Sequence, residues 1–205
     1  EFTGSLGGVG FGGAGLPQRI IDEILDKRAN SMSGIGYGLT ETNGVCAAAS
    51  GQLFQHAPQS AGITSPIIEV RVVDLDGTDV PHGTEGEIWL RGVSLMDGYL
   101  NKQGEKGLGL TDGWLKTGDI GRLEEGSLLR IVDRIKDVIN RSGEKISAAE
   151  IESCLLQHPS LLEAAVFSQP DSQTGEAVVA VVVLAPNTQM TADQVKQHVA
   201  SKLAA

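Results

Sequence analysis

Three stretches of the chain carry hydroxyl, carboxylate and aromatic groups at spacings that could serve one ligand. Gly36-Tyr37-Gly38-Leu39-Thr40-Glu41-Thr42 sets a Tyr between glycines and follows it with a hydroxyl and a carboxylate. A Tyr face stacks on a purine, and flanking glycines let backbone come close. Thr40 can donate to a phosphate oxygen, and Glu41 can hold a hard cation. A turn followed by a capped segment accounts for the same residues. Gly113-Trp114-Leu115-Lys116-Thr117-Gly118-Asp119 ends on an acid, and acids accept ribose hydroxyls in other nucleotide sites. A hairpin-turn carboxylate is the alternative there. The third stretch, Asp133 to Ile146, is dense in charge and has the polar composition of a hinge between domains.

Other chemistries find no foothold. Gly8-Val9-Gly10-Phe11-Gly12-Gly13 satisfies G-x-G-x-x-G, but few residues precede it and Arg28 stands where the dinucleotide motif requires an acid. A glycine-rich turn packed on its own chain is expected instead. No G-x-S-x-G or Walker string occurs. His56, His82, His158 and His198 are scattered, and Cys46 and Cys154 lack C-x-x-C spacing, so neither a metal cluster nor a disulfide framework is expected.

The elements that must hold these groups follow from composition and periodicity. A chain of 205 residues suits one to two domains. With 16 basic against 26 acidic residues the net charge is -10, which disfavours a nucleic-acid role. The longest apolar run, Ala177 to Ala185, is too short to span a membrane. No basic n-region precedes an apolar stretch, and a cytoplasmic location is expected. The chain begins at Glu1 rather than Met, which reads as a piece of something longer.

A helix is expected from Pro17 to Ala29, with Ile20, Ile21, Ile24 and Leu25 on one face. Gly34 to Gly38 is expected to break any regular element. From Ile67 to Val132 short alternating strands, such as Ile68 to Val72 and Glu87 to Arg91, read as an antiparallel barrel or sandwich. After Asp133 come a strand at Asp137–Asn140 and a helix from about Ala148 to Leu156, capped by Ser147 and Glu150. Strands follow at Ala164–Phe167 and Ala177–Leu184, the second apolar throughout and expected to be covered on both faces. A last helix is capped by Thr191 and Gln194.

The joint order of the motifs resembles the adenylate-forming enzymes, which include acyl-CoA synthetases, luciferases and peptide-synthetase adenylation domains. The matching strings are Gly12-Gly13-Ala14, Tyr37 to Thr42, Gly86 to Gly92 through Gly98-Tyr99-Leu100-Asn101, Thr117-Gly118-Asp119, Asp133 to Asp137, and Ser142 to Ile146 with Glu150-Ile151-Glu152. Gly15 and Ala148 stand where relatives often have Pro. Leu39-Thr40 and Lys136-Asp137 look more like acyl-CoA synthetases than peptide-synthetase domains.

The resemblance implies an α/β plus β-barrel class: residues 1–132 as the end of a large domain (1–60 α/β, 61–132 barrel), then 133–205 as an incomplete α+β domain. It implies ATP or AMP, Mg²⁺ and coenzyme A as ligands, with a small carboxylic acid as substrate. By the same token Gly12, Gly13, Ala14, Gly36, Tyr37, Gly38 and Leu39 line the adenine and acyl pocket, with Tyr37 on the base. Thr40 meets the α-phosphate, Glu41 binds the metal, Asp119 holds the ribose with Ile131 nearby, and Arg134 reaches the ribose. Lys136 is the hinge, and Ser142-Gly143-Glu144 admits the pantetheine arm. The family's phosphate loop and late catalytic Lys match nothing in this chain, so the piece alone is expected to be inactive and to self-associate through an exposed strand edge. A non-enzymatic nucleotide-binding module, an acyl-AMP ligase and a luciferase-like enzyme are the alternatives.

Overall fold

The computed structural model describes residues 7–13, 15–28, 32–100 and 109–203. Alternating apolar residues build its larger sheet. The strands are β1 (Gly10–Gly12), β2 (Gly34–Leu39), β3 (Gly44–Ser50), β4 (Gly62–Thr64), β5 (Ile68–Val73), β6 (Gly86–Gly92), β7 (Leu110–Thr111), β8 (Trp114–Glu124) and β9 (Leu128–Arg134). They pair in the order β1-β2-β3-β4-β9-β8-β6-β5, with β7 on β8. β1 and β2 are parallel, while β2–β3, β3–β4, β4–β9, β5–β6 and β6–β8 are antiparallel. Helices α1 (Gln18–Arg28) and α2 (Gln52–His56) lie in the same part of the chain.

Cys46, Ala47, Ala61, Ile68, Ile88, Leu90, Leu115 and Leu129 form the core of this sheet. On the strands β5, β6 and β8, cations lie over indole rings: Arg91 is 4.4 Å from the Trp114 centroid and Lys116 4.6 Å from that of Trp89. Arg71 reaches both rings.

Two sequence expectations change here. Gly34 to Gly38 does not interrupt regular structure but forms most of β2. Its glycines answer a close approach: a Cβ at Gly34 would come within 2.5 Å of the Ala49 carbonyl oxygen, and one at Gly38 within 2.0 Å of that of Gly44. Crowding by the neighbouring strand, not a turn, selects glycine at these positions. Likewise part of the glycine-rich opening is a strand, β1, rather than a turn.

The chain divides into two compact units, and the second holds Asp133 onward together with Pro17–Ile20. Its sheet has the order β11-β10-β13-β12, from β10 (Val138–Arg141), β11 (Glu144–Ser147), β12 (Leu161–Asp171) and β13 (Gly175–Leu184). Helices α3 (Ala148–Leu155) and α4 (Ala192–Ala200) complete it. Ser147 caps α3 by accepting from the Glu150 amide, and Thr191 with Gln194 forms a reciprocal capping box on α4. Ile139, Ala148, Leu155, Leu161 and Val166 are its core, with Val178, Val182 and Leu184 packed on them.

β13 is therefore one-sided, contrary to the expectation from its apolar run. Val181 and Val183 on the opposite face are exposed, as is Phe167 on β12. The run is apolar throughout, so alternation could not reveal which face is covered. His158 and His198, far apart in sequence, have ring centroids 5.0 Å apart at right angles. The His198 Nε2 lies 3.0 Å from the Cys154 carbonyl oxygen, and the Ser160 amide donates to His158 Nδ1. Both cysteines are free and buried, and burial raises both thiol pKa values.

Candidate active site

The site in the first unit rests on two irregularities in antiparallel ladders. Between β2 and β3, Tyr37 pairs with Ala47 but Gly38 with Val45, so Cys46 is bulged out of register. Between β6 and β8, Glu87 pairs with Ile120 and Trp89 with Lys116, which leaves Thr117, Gly118 and Asp119 opposite Ile88 alone. Bulges of this kind re-aim side chains. Thr117 Oγ1 donates to the Ile88 carbonyl at 2.7 Å and accepts from the Asp119 amide at 3.0 Å. Gly118 sits at φ 71°, the left-handed region suited to glycine. Its amide donates to Glu87 Oε1, while Glu87 Oε2 accepts from the Trp89 indole. Thr-Gly-Asp is thus a self-bonded strand bulge, not a hairpin turn.

The product of this geometry is a fixed carboxylate. Asp119 is only 4 % exposed, and its Oδ2 accepts from the Tyr37 hydroxyl at 2.6 Å. Burial first, then the Asp119 hydrogen bond and charge, push the Tyr37 phenol far above its ordinary range. It stays protonated and remains a donor. Tyr37, Leu39 and Ile131 pack on the first core cluster. Gly12 is the ladder partner of Gly36 on the adjacent parallel strand, and Gly13 follows at φ 83°. Ala14 lies outside the described residues.

Past Leu39 the chain makes a 3-10 turn, Thr40–Thr42. The buried Thr42 closes it: its hydroxyl accepts from the Leu39 amide at 3.0 Å and lies within donating distance of the Leu39 and Gly44 carbonyls. Asn43 ends the turn at φ 57°, its amide donating to the Thr40 carbonyl. Thr40 is left exposed. Glu41 is held twice by one segment: the Met96 amide donates to its carbonyl at 2.8 Å, and the Tyr99 hydroxyl donates to its carboxylate. That hydrogen bond is the leading cause of a raised Tyr99 phenol pKa.

A divalent cation that shares its shell with phosphates needs only one or two protein carboxylates. Glu41, held by Met96 and Tyr99 just past β2, fits that demand. Among the described residues no group of three or more His, Cys, Asp or Glu could form an all-protein cage.

In the second unit the expected residues are presented differently. Arg134 is exposed at the end of β9, and Lys136 is exposed in the 3-10 turn Ile135–Asp137. Ser142 and Gly143 join β10 to β11 with φ of 54° and 91°, the two positive values of a type I′ hairpin. The Ser142 amide donates to the Thr174 carbonyl and the Gly143 amide to Asn140 Oδ1. Glu144 opens β11 and is exposed. Buried Asp133 accepts from the Arg134 amide at 2.7 Å and from the Ser147 hydroxyl.

Reading the sequence gave no role to Tyr99, Thr117, Glu87 or Asp133. Tyr99 did stand in a recognised string, but its partner lies 58 residues away, and no local pattern signals such a pair.

Fold and motif order together define an enzyme class. The AMP-binding enzyme family matches residues 2–100 and its C-terminal domain matches residues 150–205. The chain belongs to this family of adenylate-forming enzymes. It is 35 % identical to 4-coumarate–CoA ligase-like 6 of Arabidopsis thaliana over all of its own length and 36 % of that protein's.

Among solved structures it resembles o-succinylbenzoate CoA synthetase (MenE) of Bacillus subtilis bound to its acyl-adenylate intermediate. There the TM-score is 0.84 and the identity 30 %, over 96 % of this chain and 40 % of that one. MenE has also been solved with ATP and a magnesium ion. ATP-bound MatB of Rhodopseudomonas palustris matches with a TM-score of 0.85 and 29 % identity, over 95 % of this chain and 39 % of that one. The chain thus spans little more than a third of the relatives it matches. Among the described residues no helix is long and apolar enough to cross a membrane.

Proposed function

We propose that the chain is part of an AMP-forming acyl-CoA ligase. In the first half-reaction a carboxylate oxygen of the substrate attacks the α-phosphorus of ATP, the bond to the β-phosphate oxygen breaks, and pyrophosphate leaves. In the second, the coenzyme A thiol loses its proton and attacks the acyl carbon, expelling AMP. The residues mainly position reactants and meet developing charge.

Asp119 accepts the ribose hydroxyls, Tyr37 faces the base, Thr40 donates to the α-phosphate, and Gly12, Gly13, Gly36 and Gly38 let backbone approach the nucleotide. Glu41 would hold Mg²⁺, which neutralises phosphate charge when bound. In the same reading Arg134 is the ribose arginine, Lys136 the hinge and Ser142-Gly143-Glu144 the pantetheine loop.

The observation that carries this reading is the 2.6 Å bond from the Tyr37 hydroxyl to buried Asp119, which sets the aromatic shelf and the acidic clamp side by side. Calorimetry tests it: AMP binds the chain, and Asp119→Ala weakens that binding by about tenfold or more. Equal affinity in the variant would remove the ribose role. With ATP, Mg²⁺ and a panel of carboxylic acids, the 205-residue chain releases no pyrophosphate above the Asp119→Ala background.

Self-association belongs to the same proposal. β13 pairs with β10 in register at Arg141–Gly175, and Val181 and Val183 are exposed. Light scattering is expected to show mass rising with concentration, and a constant monomer mass would refute it.

A further inference from the structure

Tyr99 has no part in the site as proposed above, yet it makes the hydrogen bond that fixes the Glu41 carboxylate. We infer that Tyr99 is a positioning residue for Glu41, holding that carboxylate in the orientation from which it meets a divalent cation on the nucleotide phosphates. The inference rests on the proposed function.

Three observations converge on it. The contact spans two segments distant in sequence, so it is not a by-product of a local turn. The same segment grips Glu41 a second time through the Met96 amide, 2.8 Å from the Glu41 carbonyl oxygen, so backbone and side chain are set together. One side of the ring packs on Gly109, where a Cβ would stand 2.6 Å from Tyr99 Cδ2 and 2.7 Å from Cε2, while the rest of the ring is exposed.

Chemically, the arrangement is a phenol donating to a carboxylate that ligates a metal. Such a donor lowers the number of orientations the carboxylate samples and so orients the ligand. Removing it loosens the ligand without altering the nucleotide shelf of Tyr37 and Asp119.

The test uses the full 205-residue chain with Mn²⁺ as a paramagnetic stand-in for Mg²⁺. Free Mn²⁺ is measured by electron paramagnetic resonance in the presence of ATP, and metal-free AMP affinity is measured separately by calorimetry. Tyr99→Phe keeps the ring and deletes the donor. It is expected to weaken ATP-dependent Mn²⁺ binding by about tenfold and to leave metal-free AMP affinity unchanged. In a Glu41→Gln background, already weak for Mn²⁺, the Tyr99→Phe effect should vanish.

If both affinities fall together, Tyr99 serves only the packing of the loop, and the inference is overturned. Unchanged or tighter Mn²⁺ binding in Tyr99→Phe also overturns it, the tighter case meaning that Tyr99 competes with the metal. In either result the proposed function stands. Wild-type protein that binds neither AMP nor ATP would overturn that function, and this inference with it.

Discussion

The two units present their chemical groups in opposite ways. In the first, Asp119 is buried in a strand bulge, tied to Tyr37 and backed by Thr117, Gly118 and Glu87. In the second, Arg134, Lys136, Ser142, Gly143 and Glu144 are exposed on strand ends and turns. The hairpin backbone is set by the I′ geometry of Ser142-Gly143, and the Arg134 amide by its bond to Asp133. A buried polar group must be fully bonded or it destabilises the fold, so in the first unit site and fold share residues. Exposed groups carry no such demand. The difference teaches that substitutions at site residues of the first unit test stability as well as binding, whereas those of the second test binding almost alone.

The largest expected effect is at Gly38. An alanine there would force its Cβ into the Gly44 carbonyl, 2.0 Å away, so β2 and β3 must separate. Gly38→Ala is expected to cost about 4 kcal/mol or more, read by urea unfolding followed through tryptophan emission. A loss below about 1 kcal/mol would show that the bulge yields easily, and the contrast between units would weaken.

Tyr37→Phe comes next, at about 1–3 kcal/mol near neutral pH, because buried Asp119 loses a donor. The sign of its pH dependence is fixed by the raised phenol. The unfolded chain begins to release this proton near pH 10, whereas the native state keeps it. The Tyr37 contribution is therefore complete below that pH and declines as pH rises toward the native value. Wild-type stability should fall more steeply above pH 10 than that of Tyr37→Phe, and parallel curves would deny the linkage.

Glu144→Ala should lie at the small end, within about 0.5 kcal/mol of wild type. A larger loss in thermal unfolding would mean that the second unit also builds its stability on these residues.

Much of this was legible in the residues, and the misses have physical causes. Thr191 and Gln194 announced the start of α4 because a capping box is local. Ser147 likewise marked α3, though its bond to Asp133 was not readable. Tyr37, Asp119 and the glycines stood out by type and order, yet the bond joining Tyr37 to Asp119 crosses 82 residues. Gly34 to Gly38 misled because glycine serves both turns and crowded strands, and only the neighbouring strand tells them apart. Asp119 looked like a turn residue because the bulge at Gly118 borrows a turn's backbone. The face of β13 was hidden by valines on both sides.

The cation–indole ladder on β5, β6 and β8 has an optical consequence. Both tryptophans of the chain, Trp89 and Trp114, lie in that ladder, and both tyrosines, Tyr37 and Tyr99, also belong to the first unit. Tryptophan and tyrosine emission therefore reports the first unit, while Asp133 onward carries neither residue and has Phe167 alone for near-ultraviolet dichroism. A silent titration with coenzyme A by fluorescence would say nothing of the hairpin at Ser142. The imidazole protons of His158 and His198, resolved by magnetic resonance, are the natural reporters for the second unit.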